Sequence, residues 1–325
     1  MKIILAPMDG ITDFYVRQIL TSVGGYDLSM TEFLRVTNSV FPKRVFYQNC
    51  PEINPEINSN LELLSFTQSG TPVHMQLLGS DADYLAANAA KAVELGVKGI
   101  DVNFGCPAKT VNGHGGGAVL LQDPEILYKL VSTIRKDLPS ETPLSAKMRL
   151  GYETSDLLLD NAKAIEEAGA DFITIHARTK FDGYRPPAKW HEVTDLFAKI
   201  NIPIVLNGEI WDVNDYLKCQ QISSCQDIML GRGAFARPDL AKQIKTYLNH
   251  QPYQTMSWDS ICVLLKDFYQ FMVMQNLISE KYIAGRLKLW IKWLMASYDE
   301  AVFLFEQIKR ISDAKEIGVK LQCHG

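Results

Sequence analysis

Eight short runs of apolar and β-branched residues, each closed by turn-forming chemistry, constrain this chain more than any other feature. They are Ile3–Ala6, Asp27–Met30, Val73–Leu77, Gly99–Asn103, Leu144–Met148, Phe172–His176, Pro203–Leu206 and Asp227–Leu230. Most of the later runs are separated by stretches with helical apolar spacing: Ala82–Leu95, Pro124–Asp137, Asp156–Ala168 and Trp190–Lys199. Such alternation is the rhythm of a parallel sheet, whose strands need a helical crossover to return. A count of eight predicts a closed α/β fold, the (β/α)8 TIM barrel, over an open doubly wound sheet. From about Asn249 onward the helical periodicity continues with no new strand signal. The expected organisation is a catalytic barrel over residues 1–245 and a C-terminal all-helical domain over 249–325.

In this barrel the reactive groups stand at the C-terminal ends of the strands. The runs end in Pro7-Met8, Thr31-Glu32, Gln76, Asn103 with Cys106, Lys147 with Arg149, His176 with Arg178, Asn207-Gly208-Glu209 and Gly231-Arg232. Any one of these is ordinary as a satisfied core histidine or a solvated lysine; eight in alignment point to one site. The last two motifs expose glycine backbone beside an arginine, after strands seven and eight, where barrels often hold a phosphate. Cys106 opens a glycine-rich loop through Gly117. A lone cysteine is as often buried and inert as reactive, but glycines at 105, 113, 115, 116 and 117 suit backbone that moves or approaches a ligand.

The remaining composition excludes more than it proposes. No apolar run reaches the ~20 residues of a membrane span, and the start of the chain lacks a basic, cleavable leader, so a cytoplasmic protein is expected. Six cysteines, at 50, 106, 219, 225, 262 and 323, form no CxxC and no zinc spacing, which indicates a reducing compartment and no metal. A net charge of -4 argues against a generic nucleic-acid binder while leaving room for a local basic patch. No interface is legible, and a monomer is the expectation.

The motifs APMDGITD (6–13), MQLLG (75–79), DVNFGCPAKTVNGHGGGAVLL (101–121), KMRLG (147–151), HART (176–179), NGEI (207–210) and GRGAFARP (231–238) resemble those of the bacterial tRNA-dihydrouridine synthases, in order along the barrel. The wording of the cysteine loop and YDEA (298–301) is most similar to the branch that modifies position 16 of the D-loop. The resemblance implies a flavin barrel that reduces the C5=C6 bond of a tRNA uridine with FMN and NADPH. It implies Cys106 as the catalytic acid. Pro7, Met8 and Asp9 would lie by the isoalloxazine, Gln76 and Lys147 at its polar edge, and His176, Asn207, Gly208, Glu209, Gly231 and Arg232 around the ribityl phosphate. Asn103 and Arg149 would meet the uracil. Arg35, Arg286 and Lys288 are the implied tRNA contacts. Asp9 and Phe104 are variants on the family pattern, and the segment Pro51–Gly70, with its PEINPEIN duplication, is longer than expected and reads as a surface loop. The competing enzyme reading is a dihydroorotate or dihydropyrimidine dehydrogenase type of flavin barrel acting on a free pyrimidine. A nucleophilic Cys106 would need a base, for which His114 is the only local candidate.

Overall fold

The computed structural model describes residues 1–58 and 60–321; Ser59 and the last four residues, Cys323 among them, lie outside the described residues. Among the described residues nine parallel strands form: β1 (Ile3–Leu5), β2 (Leu28–Met30), β3 (Leu34–Arg35), β4 (Val73–Leu78), β5 (Ile100–Phe104), β6 (Leu144–Arg149), β7 (Phe172–His176), β8 (Ile204–Asn207) and β9 (Asp227–Leu230). Each neighbour pairs in turn, β2 closes on β4 and β9 on β1, so eight strands make a barrel. The ninth was not expected. β3 continues the line of β2 along β4, but Ser29 opposes Val73 while Leu34 opposes Leu77, so the register slips by one residue between them. This irregularity turns Phe33 into the cavity described below.

The period of two along each strand sorts side chains between two environments. Ile3, Leu5, Val73, Met75, Leu77, Val102, Ala146, Ile175 and Leu206 face the helices in one continuous core. Ile4, Ala6, Leu28, Met30, Val205 and Met229 fill the barrel interior. On β4 to β7 the alternate positions are instead polar: Gln76, Asp101, Asn103, Ser145, Thr174 and His176 are all buried. Half of the barrel interior is therefore a hydrogen-bonding environment, and each of its groups needs a partner there.

The outer helices begin where the sequence supplies caps. Asp81 accepts from the Asp83 and Tyr84 amides at the start of Ala82–Glu94, and Asp123 precedes Pro124 at the start of Pro124–Asp137. Such caps contribute roughly 1 kcal/mol each. The stretch Trp190–Ala198 is a run of 3₁₀ turns, not a regular α-helix. Segment 51–70 is only partly a surface loop. Pro51, Glu52, Ile53, Ser65 and Thr67 are buried, because Glu52 receives a bidentate Arg17 (2.9 and 2.8 Å) and Ser65 Oγ donates to the Val73 carbonyl. Removing either charge of that buried pair would strand the other.

Beyond the helix Leu240–Leu248 the chain forms helices Trp258–Gln275, Glu280–Leu294, Asp299–Ile308 and Ala314–Lys320. They are fastened to the barrel. Trp290 is buried between Phe268 (centroids 4.8 Å apart) and Phe235 (6.1 Å), and its indole N–H donates to the Phe235 carbonyl. Among the described residues no helix is long and apolar enough to cross a membrane, and no group of three or more His, Cys, Asp or Glu could hold a metal ion.

Candidate active site at the C-terminal mouth of the barrel

A cavity of about 620 Å³ opens at the C-terminal ends of the strands. Of the residues expected from sequence, Pro7, Met8, Asp9, Asn103, Cys106, Lys147, Arg149, His176, Asn207, Gly208, Glu209, Gly231 and Arg232 line it. The glycines leave no room for side chains. A Cβ on Gly231 would meet Met8 Sδ at 3.2 Å, and one on Gly208 (φ +124°) would meet the His176 ring at 3.1 Å.

Cys106 is half-buried, and its loop is built, not slack. Its carbonyl accepts from Asn112 Nδ2 (2.8 Å) and the Ala118 amide (3.1 Å), while Gly117 takes a left-handed φ of +69° against it. Burial raises the Cys106 thiol above its ordinary pKa, with Asp9 adding to the effect, while the Ala108 amide, Arg149 and Arg35 oppose it. The group is a thiol at neutral pH. His114 Nδ1–H donates to the Thr110 carbonyl on the exposed side and does not line the cavity, so it offers no base to the thiol.

Beneath the cavity runs a chain of directed hydrogen bonds. Ser145 Oγ donates to Asp101 Oδ1 (2.6 Å), Gln76 Nε2 to Asp101 Oδ2 (2.7 Å), and Asn103 Nδ2 to Gln76 Oε1 (2.8 Å). Asn103 Oδ1 then accepts from the Gly105 and Cys106 amides, both at 2.9 Å. Burial pushes Asp101 up to about 6, against the pull of Ser145, Gln76 and Lys147. Gln76 is fully buried beneath the cavity, with one N–H given to Asp101 and its oxygen accepting from Asn103. Asn103 keeps only one N–H uncommitted.

The cationic wall is arranged by a single carboxylate. Glu209, at φ +58°, accepts from Arg232 and is ion-paired with Arg178, each at 2.8 Å. Arg178 Nη1 lies 3.3 Å from His176 Nε2. A guanidinium only donates, so that nitrogen accepts and the imidazole proton sits on Nδ1. Burial first, and then Arg149, Lys147, Arg178 and Arg232, hold His176 well below its ordinary pKa, so it is neutral. Lys147 reaches Asn207 Oδ1 at 3.4 Å, and burial lowers it to about 8. Arg149 is buried and ties two loops to the end of β6, donating to the carbonyls of Gly105 (2.8 Å), Thr179 and Gly183 (both 2.9 Å).

Three expected contacts lie elsewhere. Arg35 stands on β3 outside the cavity, near enough for its charge to act on Cys106. Lys288 is half-buried on helix Glu280–Leu294. Arg286 is turned inward: it is buried, its Nε pairs with Asp13 at 3.0 Å, and its terminal nitrogens donate to the Gly10 and Ile11 carbonyls. It bolts the helix to the loop after β1, committing three of its five N–H groups inside the protein. Conversely, Phe33, Tyr184, Trp211 and Trp293 line the cavity without having been singled out. Arg149 and Arg232 lie over the Tyr184 ring (5.3 and 5.6 Å), and Arg232 also over Trp211 (5.2 Å).

This cavity chemistry can be set beside known proteins. A family profile described as Dihydrouridine synthase (Dus) matches residues 4–323. The chain belongs to the dihydrouridine synthase family. Among curated relatives, the tRNA-dihydrouridine(16) synthase of Pseudomonas syringae pv. tomato is 44% identical over 99% of both chains. That of Neisseria meningitidis serogroup A is 44% identical over 97% of this chain and 92% of its own. Among solved structures, a 2-naphthoyl-CoA reductase in complex with 2-naphthoyl-CoA superposes with a TM-score of 0.56 at 13% identity, covering 77% of this chain and 50% of that one. An old yellow enzyme homologue from Zymomonas mobilis gives 0.50 at 13% identity, covering 80% and 91%. At such identities the two structures speak for the barrel alone. Within the family match fall all the strand-end motifs that form the cavity.

Proposed function

We propose that this chain is a tRNA-dihydrouridine synthase that reduces the C5=C6 bond of uridine 16 in the D-loop, using bound FMN and NADPH as reductant. The observation that carries the reading is a half-buried cysteine, its thiol pushed up by burial, at the mouth of a cavity with an apolar side and a cationic wall. The identity to curated position-16 synthases along the full chain supports the choice of uridine.

The residues present fit a flavin mononucleotide. Ala6, Pro7 and Met8 offer an apolar surface, and the side-chain-free backbone at Gly208 and Gly231 allows close approach. Arg232 and the Nδ1–H of neutral His176 are donors suited to its phosphate, and Lys147 is the cation suited to its N1/O2 edge. When bound and reduced, the cofactor would supply the hydride to C6 of the uracil. Cys106 delivers a proton to C5 as the π bond breaks, leaving a thiolate that recovers its proton from solvent. Asn103 and Gly105 hold that thiol in place, while Arg149 joins the loops around it. Tyr184 offers an apolar face for the uracil once it has left its stack. In this reading residues 1–245 form the catalytic part and the helices from 249 onward help to grip tRNA, with Arg35 and Lys288 as phosphate contacts. The test is mass mapping of unmodified tRNA incubated with protein, FMN and NADPH. A two-dalton gain at position 16, lost in Cys106→Ala protein that still binds flavin, is expected. Yellow protein that oxidises NADPH and leaves tRNA unaltered would overturn it in favour of a free pyrimidine.

A further inference from the structure

The rim between the loops after β6 and β7 carries a cluster that the reading above does not use. Lys180 Nζ lies 4.5 Å from the centroid of Tyr152 and 4.8 Å from that of Phe181, and 3.3 Å from Tyr152 Oη. The two rings meet edge to face at 5.9 Å. Phe181 is nevertheless 55% exposed. Its backbone is tied at both ends: Arg185 Nη2 donates to its carbonyl at 3.0 Å, and its own amide donates to the Tyr152 carbonyl. Asp182, next in sequence to Phe181, is spent on the Thr179 amide and Lys189, at 2.8 and 3.0 Å. The patch is thus aromatic, cationic and fixed. Tyr184, 57% exposed, joins it to the cavity through Arg149.

Fixed aromatic faces beside a cation fit unpaired nucleotides, which stack on rings and leave their phosphates near positive charge. We infer that Tyr152, Lys180 and Phe181 form a stacking platform for an unpaired base next to the uridine that enters the cavity. This rests on the reading of the cavity as the uridine site. The platform holds the RNA strand at the rim after the target base has turned inward, so it acts on binding and not on proton delivery.

The test is Phe181→Ala and Phe181→Trp in the full-length, flavin-loaded protein, with unmodified tRNA. Loss of one base stack predicts a rise in KM for tRNA of roughly fivefold or more in Phe181→Ala, with Phe181→Trp at or below the parent value. The slope of log affinity against log salt stays as in the parent, because no phosphate contact is removed. The rate of flavin reduction by NADPH without tRNA decides the main alternative: slower reduction with an unaltered KM for tRNA would make this a dinucleotide platform and overturn the inference. Equal losses in both variants, or none in either, would overturn it too. Retention of dihydrouridine formation by Cys106→Ala protein would instead sink the site reading, so the two failures are distinguishable.

Discussion

Replacing Asn103 by Asp changes one atom in a buried chain whose direction is set from its far end. Asp101 can only accept, so Gln76 must present its N–H to it and its oxygen to Asn103, which must donate and so turns its own oxygen to the Gly105 and Cys106 amides. In Asn103→Asp the 2.8 Å contact with Gln76 Oε1 becomes oxygen against oxygen. Turning Gln76 over only moves the clash to Asp101. One hydrogen bond is lost and a buried acceptor left bare, at about 3 kcal/mol in total. For 325 residues, at about 2.1 cal/mol/K each, that lowers Tm by roughly 4–5 °C. Asp101→Asn alone costs about 1 kcal/mol or less, because its amide can still accept from Gln76 while donating to Ser145. The double variant Asp101→Asn/Asn103→Asp reverses the whole chain. The new amide at position 101 donates to Gln76, Gln76 donates to the new carboxylate at position 103, and that carboxylate accepts both loop amides. It should recover most of the loss, about 2 kcal/mol of favourable coupling. Thermal melts give the energies, and the alkylation rate of Cys106 reports whether its loop is back in place. A double variant that shows the sum of the single losses would refute the directed chain.

Three further outcomes are expected. In the proposed reaction Cys106 gives up a proton, and burial raises its pKa, so single-turnover uridine reduction should hold through neutral pH and fall only above the ordinary thiol range; a fall beginning below it would contradict the role. Lys147, lowered to about 8 by burial, loses its charge as pH rises through that value, so flavin affinity measured by fluorescence titration should weaken there, and Lys147→Met should remove the dependence along with roughly tenfold or more of affinity. Arg286→Ala strands Asp13 and two carbonyls at the seam with the helices, which should cost about 3 kcal/mol in denaturant melts while leaving the salt dependence of tRNA binding as it is.

The strands were legible because each is a short buried run with turn chemistry at its end, and the site because barrel topology gathers those ends on one face. What the residue letters could not show is where a donor is spent. Gln76 and Arg286 carry the right groups at the right places in the motif and on the helix, yet both spend hydrogen bonds inside the protein. Arg286 sits beside exposed Lys281 and Lys292 in sequence but points to the barrel with Leu287 and Trp290. Strand β3 is two residues long and leaves no periodicity to detect. Tyr184 and Trp293 were invisible for opposite reasons. Tyr184 stands in a polar, proline-containing loop, whereas Trp293 neighbours a buried apolar stripe and reaches the cavity only because the helix is laid across its mouth.

That last placement couples recognition to the reaction. The helix that carries Trp293 into the cavity wall is bolted by Arg286 to Gly10 and Ile11, next to Met8 and Asp9 of the cavity floor. If the helices grip tRNA as proposed above, a pull on them is delivered to the floor and one wall of the reaction chamber together. Substitutions that retune the grip on a new RNA shape must leave this strut unbent, which ties change in substrate choice to change in turnover.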